Sequence, residues 1–191
     1  MPFIVLYDAC VLHPAPLRDL LVLLGQTRLC QLCQVKWTQR ILDECFRSIL
    51  KRRADLSSEK LAWTREQLEM AIPDVQVNGY EEFIEGITGL PDPDDRHVVA
   101  AAIRCGAQVI VTLNLKDFPE SVLRRYGMEA QHPDDFVRDL IDLDGAMVAK
   151  VIRNQAARLK NPPKTPAEVL ESLHQNGLTV SVAMLKDILG V

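Results

Sequence analysis

The chain lacks the features that would assign it to several large classes of protein. It has no glycine-rich phosphate loop with a Walker lysine, and no apolar run approaching the roughly 20 residues of a membrane span. Residues 1–7 are too short for a secretory signal and run directly into an acid. We therefore expect no membrane association and a cytoplasmic location, in which thiols stay reduced.

The cysteines do not form a recognisable metal or redox site. Cys30 and Cys33 make a C-x-x-C motif, but Cys45 and Cys105 do not supply a second ligand pair at zinc-finger spacing. A redox function would require the motif to open a helix in a thioredoxin-like unit. We interpret these cysteines as ordinary buried or half-buried thiols.

Apolar runs alternate with helical segments along the first 143 residues. Strands are predicted over 3–7, 74–77, 108–112 and 128–130, and helices over 17–24, 38–53, 57–72, 80–87, 97–103, 119–127 and 133–143. Because strands and helices alternate, we predict an α/β fold in which helices cover both faces of a parallel central sheet.

The character of the chain changes after residue 143. Helices are predicted over 145–159 and 180–189, and a third begins at a capping box formed by Thr165 and Glu168, with Pro166 at the first helical position. We therefore divide the chain into a first domain, 1–143, and a small helical extension, 144–191.

Four carboxylates stand at positions from which they could converge. Asp8 follows the first strand, Glu44 lies inside a helix, Asp95 opens a helix and Asp117 follows the strand over 108–112. The carboxyl ends of parallel strands meet at one edge of the sheet, where ligands bind in such folds. Converging carboxylates repel unless a cation lies between them, and Mg²⁺ or Mn²⁺ accepts oxygen ligands of this kind. Bound metal would also offset these four charges, which equal the net charge of −4.

Each of these acids also has a structural explanation. Asp8 could cap a helix, Glu44 could be a solvated charge, and Asn114 and Asp117 could be turn residues. The segment from Asp92 to Asp95 could be a charged loop ending in a helix cap. The case for a site therefore depends on the combination of all four acids.

The motifs around these acids resemble those of a known family. They are Asp8 after the first strand, Glu44 in Ile-Leu-Asp-Glu, Asp95 in Asp-Asp-Arg-His-Val-Val-Ala-Ala-Ala, and Asp117 in Thr-Leu-Asn-Leu-Lys-Asp-Phe. In this order they resemble the PIN-domain nucleases over residues 3–136, and most closely the VapC-type toxin ribonucleases of toxin–antitoxin pairs. The resemblance implies a three-layer α/β/α fold and a Mg²⁺- or Mn²⁺-dependent endoribonuclease.

The resemblance also implies roles for particular residues. Asp8, Glu44, Asp95 and Asp117 match the acidic quartet, with Asp8 and Asp95 expected to bind metal directly and the other two to complete the site. Supporting positions are Asn114, Thr112, Asp92 and Asp94, of which the last two have no fixed counterpart in the family. Residues 144–191 resemble the helical extension found on a subset of PIN toxins.

Basic residues near these acids are candidates for RNA contact. They are Arg47, Lys51, Arg52 and Arg53 at the end of one helix, and Arg96 and Lys116 near the site. A basic helix end is also explained by a favourable interaction with the helix dipole. His97 is predicted to be a packed helix residue rather than a general base.

The leading functional hypothesis is an endoribonuclease that hydrolyses RNA phosphodiester bonds, acting as the toxin of a type II pair and neutralised by a cognate antitoxin protein. The alternatives are an RNA-processing or repair nuclease without an antitoxin, and a non-catalytic PIN-like interaction module. The extension could serve homodimer formation, antitoxin docking or RNA contact, and the sequence does not choose among these.

Overall fold

The central sheet of the molecule has four parallel strands. The computed structural model describes residues 3–26, 32–53 and 55–191. Its strands are β1 (Phe3–Tyr7), β2 (Cys33–Lys36), β3 (Val109–Val111) and β4 (Glu129–Gln131), in the order β2-β1-β3-β4. Helices flank this sheet, which confirms the predicted α/β architecture.

Ten helices are found in the described part of the chain. They are α1 (Ala9–Leu12), α2 (Ala15–Gly25), α3 (Gln39–Arg52), α4 (Ser58–Ala71), α5 (Glu81–Ile84), α6 (Arg96–Cys105), α7 (Glu120–Leu123), α8 (Pro133–Arg158), α9 (Pro166–His174) and α10 (Val180–Leu189). Helix ends follow local chemistry. Thr38 caps α3 by accepting a hydrogen bond from the Ile41 backbone N–H at 3.1 Å, and Gly106 ends α6 in the left-handed conformation.

The order of the strands creates a crevice beside β1. From β1 the chain passes to β2 on one side and later to β3 on the other. Val5, Leu6 and Tyr7 of β1 pair with Val109, Ile110 and Val111 of β3, so the two strands end at the same level. This is the topological switch point at which parallel α/β sheets bind ligands. Residues 8–10 and 112–117 follow the two strands and lie at that edge.

The predicted strands differ from the structure in two places. Strand β2 is not predicted by the sequence pattern, although buried Cys33 and Val35 alternate with more exposed residues. The strand predicted over 74–77 is reduced to a bridge, in which Trp37 pairs with Gln76 beyond the end of β2. Cys30, the first residue of the C-x-x-C motif, lies outside the described residues.

The extension shares the hydrophobic core of the sheet region. Helix α8 consists of two helical segments that meet at a kink at Asp144 (φ −157°, ψ 83°), next to the predicted break at 143. It packs against α2, α9 and α10. Val148, Ile152 and Leu185 of the extension are buried in the same cluster as the residues of β1. The capping box is present, because the backbone N–H of Thr165 donates to Glu168 Oε2 at 2.8 Å and that of Glu168 donates to Thr165 Oγ1 at 3.3 Å. The division at 143/144 stays a prediction.

Within residues 3–26, 32–53 and 55–191, none of the helices combines the length and the apolar character needed to cross a bilayer.

Candidate active site

A polar cleft of about 460 Å³ opens at the switch point between β1 and β3. Its polar lining includes Asp8, Cys10, His13, Glu44, Ser48, Arg52, Asp95 and Asn114. Three of the four predicted acids and the predicted supporting residue Asn114 therefore share one cleft, although they come from four separate parts of the chain.

Asp8 is held at the floor of this cleft by three hydrogen bonds. It is only 7% exposed. Its Oδ1 accepts from the Ala9 backbone N–H at 2.7 Å, and its Oδ2 accepts from the Thr112 hydroxyl at 2.8 Å and from the Cys10 thiol at 3.1 Å. Asp8 therefore caps α1 and also presents a fixed carboxylate to the cleft.

The Cys10 thiol connects the two loops that follow β1 and β3. Besides donating to Asp8, its Sγ accepts from the Leu113 backbone N–H at 3.1 Å and lies 3.3 Å from Thr112 Oγ1. Burial, and after it the neighbouring Asp8 charge, raise the pKa of Cys10 to about 12. The thiol therefore keeps its proton at neutral pH. Sequence patterns gave no signal for this role.

Glu44 lines the cleft while the adjacent acid points elsewhere. Its Oε1 accepts from Arg40 Nε at 3.1 Å and lies 3.1 Å from Nε2 of His97, although that second contact lacks the alignment of a full hydrogen bond. Burial tends to raise the pKa of Glu44, but His97 and Arg40 outweigh it and lower the pKa below its usual value. Asp43 instead pairs with Arg65 on α4 at 2.5 Å.

His97 lies beneath the site as a packed residue. Its side chain is 1% exposed, as predicted for a residue on the inner face of α6, yet its ring faces Glu44. The contact joins α6 to α3, and the two residues are 53 positions apart in the sequence. Helix periodicity therefore predicts that His97 is buried, but it cannot predict that Glu44 is its partner.

Asp95 shows that the acids influence one another. Burial, and after it the negative charges of Asp8, Asp92 and Asp117, together raise its pKa to about 6. Asp92 and Asp117 therefore act on the site electrostatically, although neither lines the cleft. Four carboxylates that interact in this way favour a bound cation.

Asp94 and most of the candidate basic residues lie outside the cleft. Asp94 is exposed, and its backbone N–H donates to Asp92 Oδ1 at 2.9 Å. Arg53 forms two hydrogen bonds with Asp55, at 2.7 and 2.8 Å, and Arg96 donates to the Pro93 carbonyl at 2.9 Å. Arg47, Lys51 and Lys116 are exposed outside the lining, whereas Arg52 lines the cleft.

The donor set fits a hydrated divalent cation. Among the described residues, no three His, Cys, Asp or Glu side chains are grouped closely enough to hold a metal ion directly. Mg²⁺ keeps several of its waters and uses one or two protein carboxylates, so direct ligation by three side chains is not required. The mutual repulsion around Asp95 and the all-oxygen chemistry of the acids both suit such an ion.

A larger groove elsewhere in the molecule lacks this chemistry. It has a volume of about 540 Å³ and lies between α2, α4 and the end of α8, with Trp63 and Met70 on its wall. Of the described residues that line it, Asp19 alone is acidic. The smaller cleft beside β1 is therefore the better candidate for catalysis.

The fold and the acidic cleft together define a PIN domain, and comparison with known families agrees. A family model described as "PIN domain" matches residues 4–116, and one described as "VapC50 C-terminal domain" matches residues 133–187. The chain therefore belongs to the PIN-domain family, which confirms the resemblance seen in its motifs.

A curated relative extends this result. Over 95 residues the chain is 42% identical to a protein of Mycobacterium tuberculosis (strain ATCC 25618 / H37Rv) named "Putative ribonuclease VapC50". The match covers 50% of this chain and 55% of the relative, so the chain spans about half the length of that protein. No solved structure matches the chain.

Proposed function

We propose that this protein is a divalent-metal-dependent endoribonuclease that hydrolyses RNA phosphodiester bonds and acts as the toxin of a type II toxin–antitoxin pair. The observation that carries the proposal is the cleft at the switch point, where Asp8, Glu44 and Asp95 meet and where Asp95 is under the influence of three other acids. Membership of the PIN family and a relative named as a ribonuclease support it.

The acids are assigned roles by their placement. Asp8 and Asp95 would hold the metal, Mg²⁺ or Mn²⁺, and Asp117 would add negative charge nearby. When bound, the metal would lower the pKa of a coordinated water and offset the charge that develops on the phosphate. Asp8 is suited to this role because its three hydrogen bonds fix its orientation.

Glu44 is suited to orienting the attacking water. Both of its described contacts, to Arg40 and His97, involve Oε1. Oε2 is therefore the atom that can accept a proton from water as the oxygen attacks phosphorus. The bond to the ribose oxygen breaks in the same step, and that oxygen takes a proton from solvent. The lowered pKa of Glu44 keeps this carboxylate ionised before the reaction.

The role as a toxin is supported by the C-terminal part of the chain, which matches the C-terminal domain of VapC50 over residues 133–187. We expect a cognate antitoxin protein and a homodimer as partners. An adjacent short reading frame whose product, when co-expressed, restores growth of cells expressing this protein would support the pairing. Growth arrest that such a product leaves unchanged would instead favour an RNA-processing or repair nuclease.

The nuclease assignment is tested by Asp8→Asn. This change removes the charge of a central ligand but keeps an oxygen that can accept from Ala9, so the fold should survive. We expect RNA cleavage to fall by about 10²-fold or more. The measurement is the sequencing of RNA ends after expression of the wild type and the variant side by side. Cleavage by Asp8→Asn at the wild-type level, with unchanged thermal unfolding, contradicts the assignment.

A further inference from the structure

The two oxygens of Asp8 are used unequally. Oδ2 accepts from the Cys10 thiol at 3.1 Å and from the Thr112 hydroxyl at 2.8 Å, whereas Oδ1 accepts only from the Ala9 backbone N–H among the described contacts. A carboxylate oxygen has about two lone-pair sites. Oδ2 is therefore saturated, and the remaining acceptor capacity of Asp8 lies on Oδ1.

From this arrangement we infer that Cys10 is a positioning residue of the nuclease site, whose thiol, with Thr112, holds Oδ2 and leaves Oδ1 to bind the divalent metal. The inference rests on the proposed function and deepens it. It assigns to the cysteine two positions after the first acid a role other than metal ligation, because its Sγ is already engaged by Asp8 Oδ2 and by the Leu113 backbone N–H.

Cys10 also fixes the loop that follows β3. Its Sγ accepts from the Leu113 backbone N–H at 3.1 Å, and Thr112 Oγ1 accepts from the Asn114 backbone N–H at 3.0 Å. Through these bonds one thiol and one hydroxyl tie Asp8 to the segment that carries Asn114 and Asp117. Loss of the thiol would leave a half-buried N–H without its partner and allow the Asp8 carboxylate to turn.

Another cysteine shows what a purely packing role looks like. Cys105 is half-buried like Cys10, but its Sγ donates within its own helix, to the Ala102 carbonyl at 3.6 Å. Cys105 does not line the cleft. Cys105→Ala is therefore a matched control for Cys10→Ala, because it removes a thiol of similar burial without touching Asp8.

The test is a titration of the metal-free protein with MnCl₂ by calorimetry, together with thermal unfolding in EDTA. Mutation of a residue that orients a metal ligand lowers the metal affinity by about 10–100-fold. We therefore expect Cys10→Ala to weaken Mn²⁺ binding by at least about tenfold. Cys10→Ser, which keeps a donor and an acceptor, should recover part of this loss. Cys105→Ala should bind Mn²⁺ like the wild type.

The inference is overturned if Cys10→Ala binds Mn²⁺ within about twofold of the wild type, a difference below 0.5 kcal/mol at RT of about 0.6 kcal/mol. It is equally overturned if Cys10→Ser and Cys10→Ala bind alike. Should Cys10→Ala not fold, Cys10→Val takes its place, because valine fills the space of the thiol without hydrogen bonding, and the same loss is expected.

Asp8→Asn in the same titration separates this inference from the proposed function. If Asp8→Asn binds Mn²⁺ as the wild type does, the metal site itself is wrong. If Asp8→Asn loses binding while Cys10→Ala retains it, the metal site stands and only the positioning role of Cys10 is wrong.

Discussion

Asp95 is a residue placed where its charge opposes folding. Its partial burial, and after that the negative charges of Asp8, Asp92 and Asp117, raise its pKa to about 6. At neutral pH the metal-free protein must therefore hold an ionised carboxylate against repulsion. Residues that lower the stability of the folded state in this way are typical of functional sites, because they are needed for function and not for packing.

We predict that Asp95→Asn stabilises the metal-free protein while abolishing RNA cleavage. Removing the repelled charge should contribute on the order of 1–2 kcal/mol after allowance for solvent screening. This corresponds to about 2–4 °C in Tm per kcal/mol for a chain of this size. Calorimetry in EDTA at pH 7.5 measures the shift. Asp94→Asn is the matched control and should change Tm little, because Asp94 is exposed and outside the cleft. A lower Tm in Asp95→Asn would contradict the prediction.

Two neighbouring arginines allow a similar comparison for RNA binding. Arg52 lines the cleft, whereas Arg53 is paired with Asp55. We predict that Arg52→Gln weakens RNA binding and reduces the slope of log K against log salt by about 0.7, the value for one phosphate contact on a single strand. Arg53→Gln should leave the slope unchanged. Fluorescence anisotropy with catalytically inactive Asp8→Asn as the background measures both. Equal slopes for the two variants would exclude a special role for Arg52.

The sequence predicted the residues of the cleft better than the contacts that orient them. Asp8, Glu44 and Asp95 follow from their positions relative to strands and helices, and the structure brings them together, although their roles remain proposals. Cys10 could not be predicted in the same way, because its partner Leu113 is 103 residues away. Contacts at such separations depend on strand order and register, which periodicity does not reveal.

Among the elements, short strands were the hardest to predict. β2 has only four residues, and two of them are Gln34 and Lys36, so its apolar signal is weak. The segment 74–77 has a stronger alternating pattern but forms only the bridge to Trp37. Helices that begin at a capping residue are predicted more accurately, and the structure confirms α3 after Thr38 and α9 after Thr165.

Helix α10 is held by an acid from a distant element. Asp134, on the first turn of α8, is 8% exposed and accepts hydrogen bonds from the backbone N–H groups of Thr179, Val180 and Ser181 at 2.9–3.0 Å. The hydroxyls of Thr179 and Ser181 also donate to it. Asp134 thus caps α10, whose own preceding residue provides no side-chain cap.

We predict that Asp134→Asn destabilises the protein by about 1–3 kcal/mol, because it loses charge-assisted bonds and leaves buried donors poorly paired. Urea unfolding at pH 7 measures this change. The neighbouring Asp135→Asn is the control and should have an effect below about 0.5 kcal/mol, since Arg138 is the partner of Asp135 among the described residues and the pair lies at the surface.

Asp134 should also contribute to acid sensitivity. Burial acts to raise its pKa, but the hydrogen bonds from Ser181, Val180 and Thr179 outweigh burial and lower the pKa below its usual value. As the pH falls, the Asp134 carboxylate is therefore protonated in the unfolded chain before it is protonated in the folded protein. The stabilisation is present above the unfolded pKa of about 3.9 and is lost as the pH falls through the folded value. Between pH 6 and pH 2.5 the wild type should lose more stability than Asp134→Asn. If plots of the unfolding free energy against pH ran parallel for the two proteins, this explanation would be wrong.

For the whole molecule, one core joins the sheet and the extension. Val148, Ile152 and Leu185 are buried in the same cluster as the strands, and Gln155 of α8 donates to the Pro16 carbonyl at 3.0 Å. The boundary drawn at 143/144 coincides with the non-helical Asp144, but the packing crosses it. A change in sequence character can therefore mark a bend in a helix without marking independent folding.

We predict that the protein unfolds in a single cooperative transition, because the shared core couples the two parts. Calorimetric and van't Hoff enthalpies should agree. A fragment consisting of residues 1–143 should fail to show its own transition, since removal of the second half of α8 exposes the face of α2 that it covers. Two resolved transitions, or a fragment that melts cooperatively, would show that the extension is an independent unit.

The hydrogen bonds between Asp134 and α10 form between parts of the chain that are synthesised at different times. Asp134 precedes its partners by 45 to 47 residues. At about 5–20 residues per second, a ribosome takes roughly 2–9 seconds to add that length of chain. Throughout this interval the strands and the acids of the cleft have already been synthesised, while the carboxylate that locks α10 has no partner. The nascent chain therefore carries a complete set of site residues before it has its full stability.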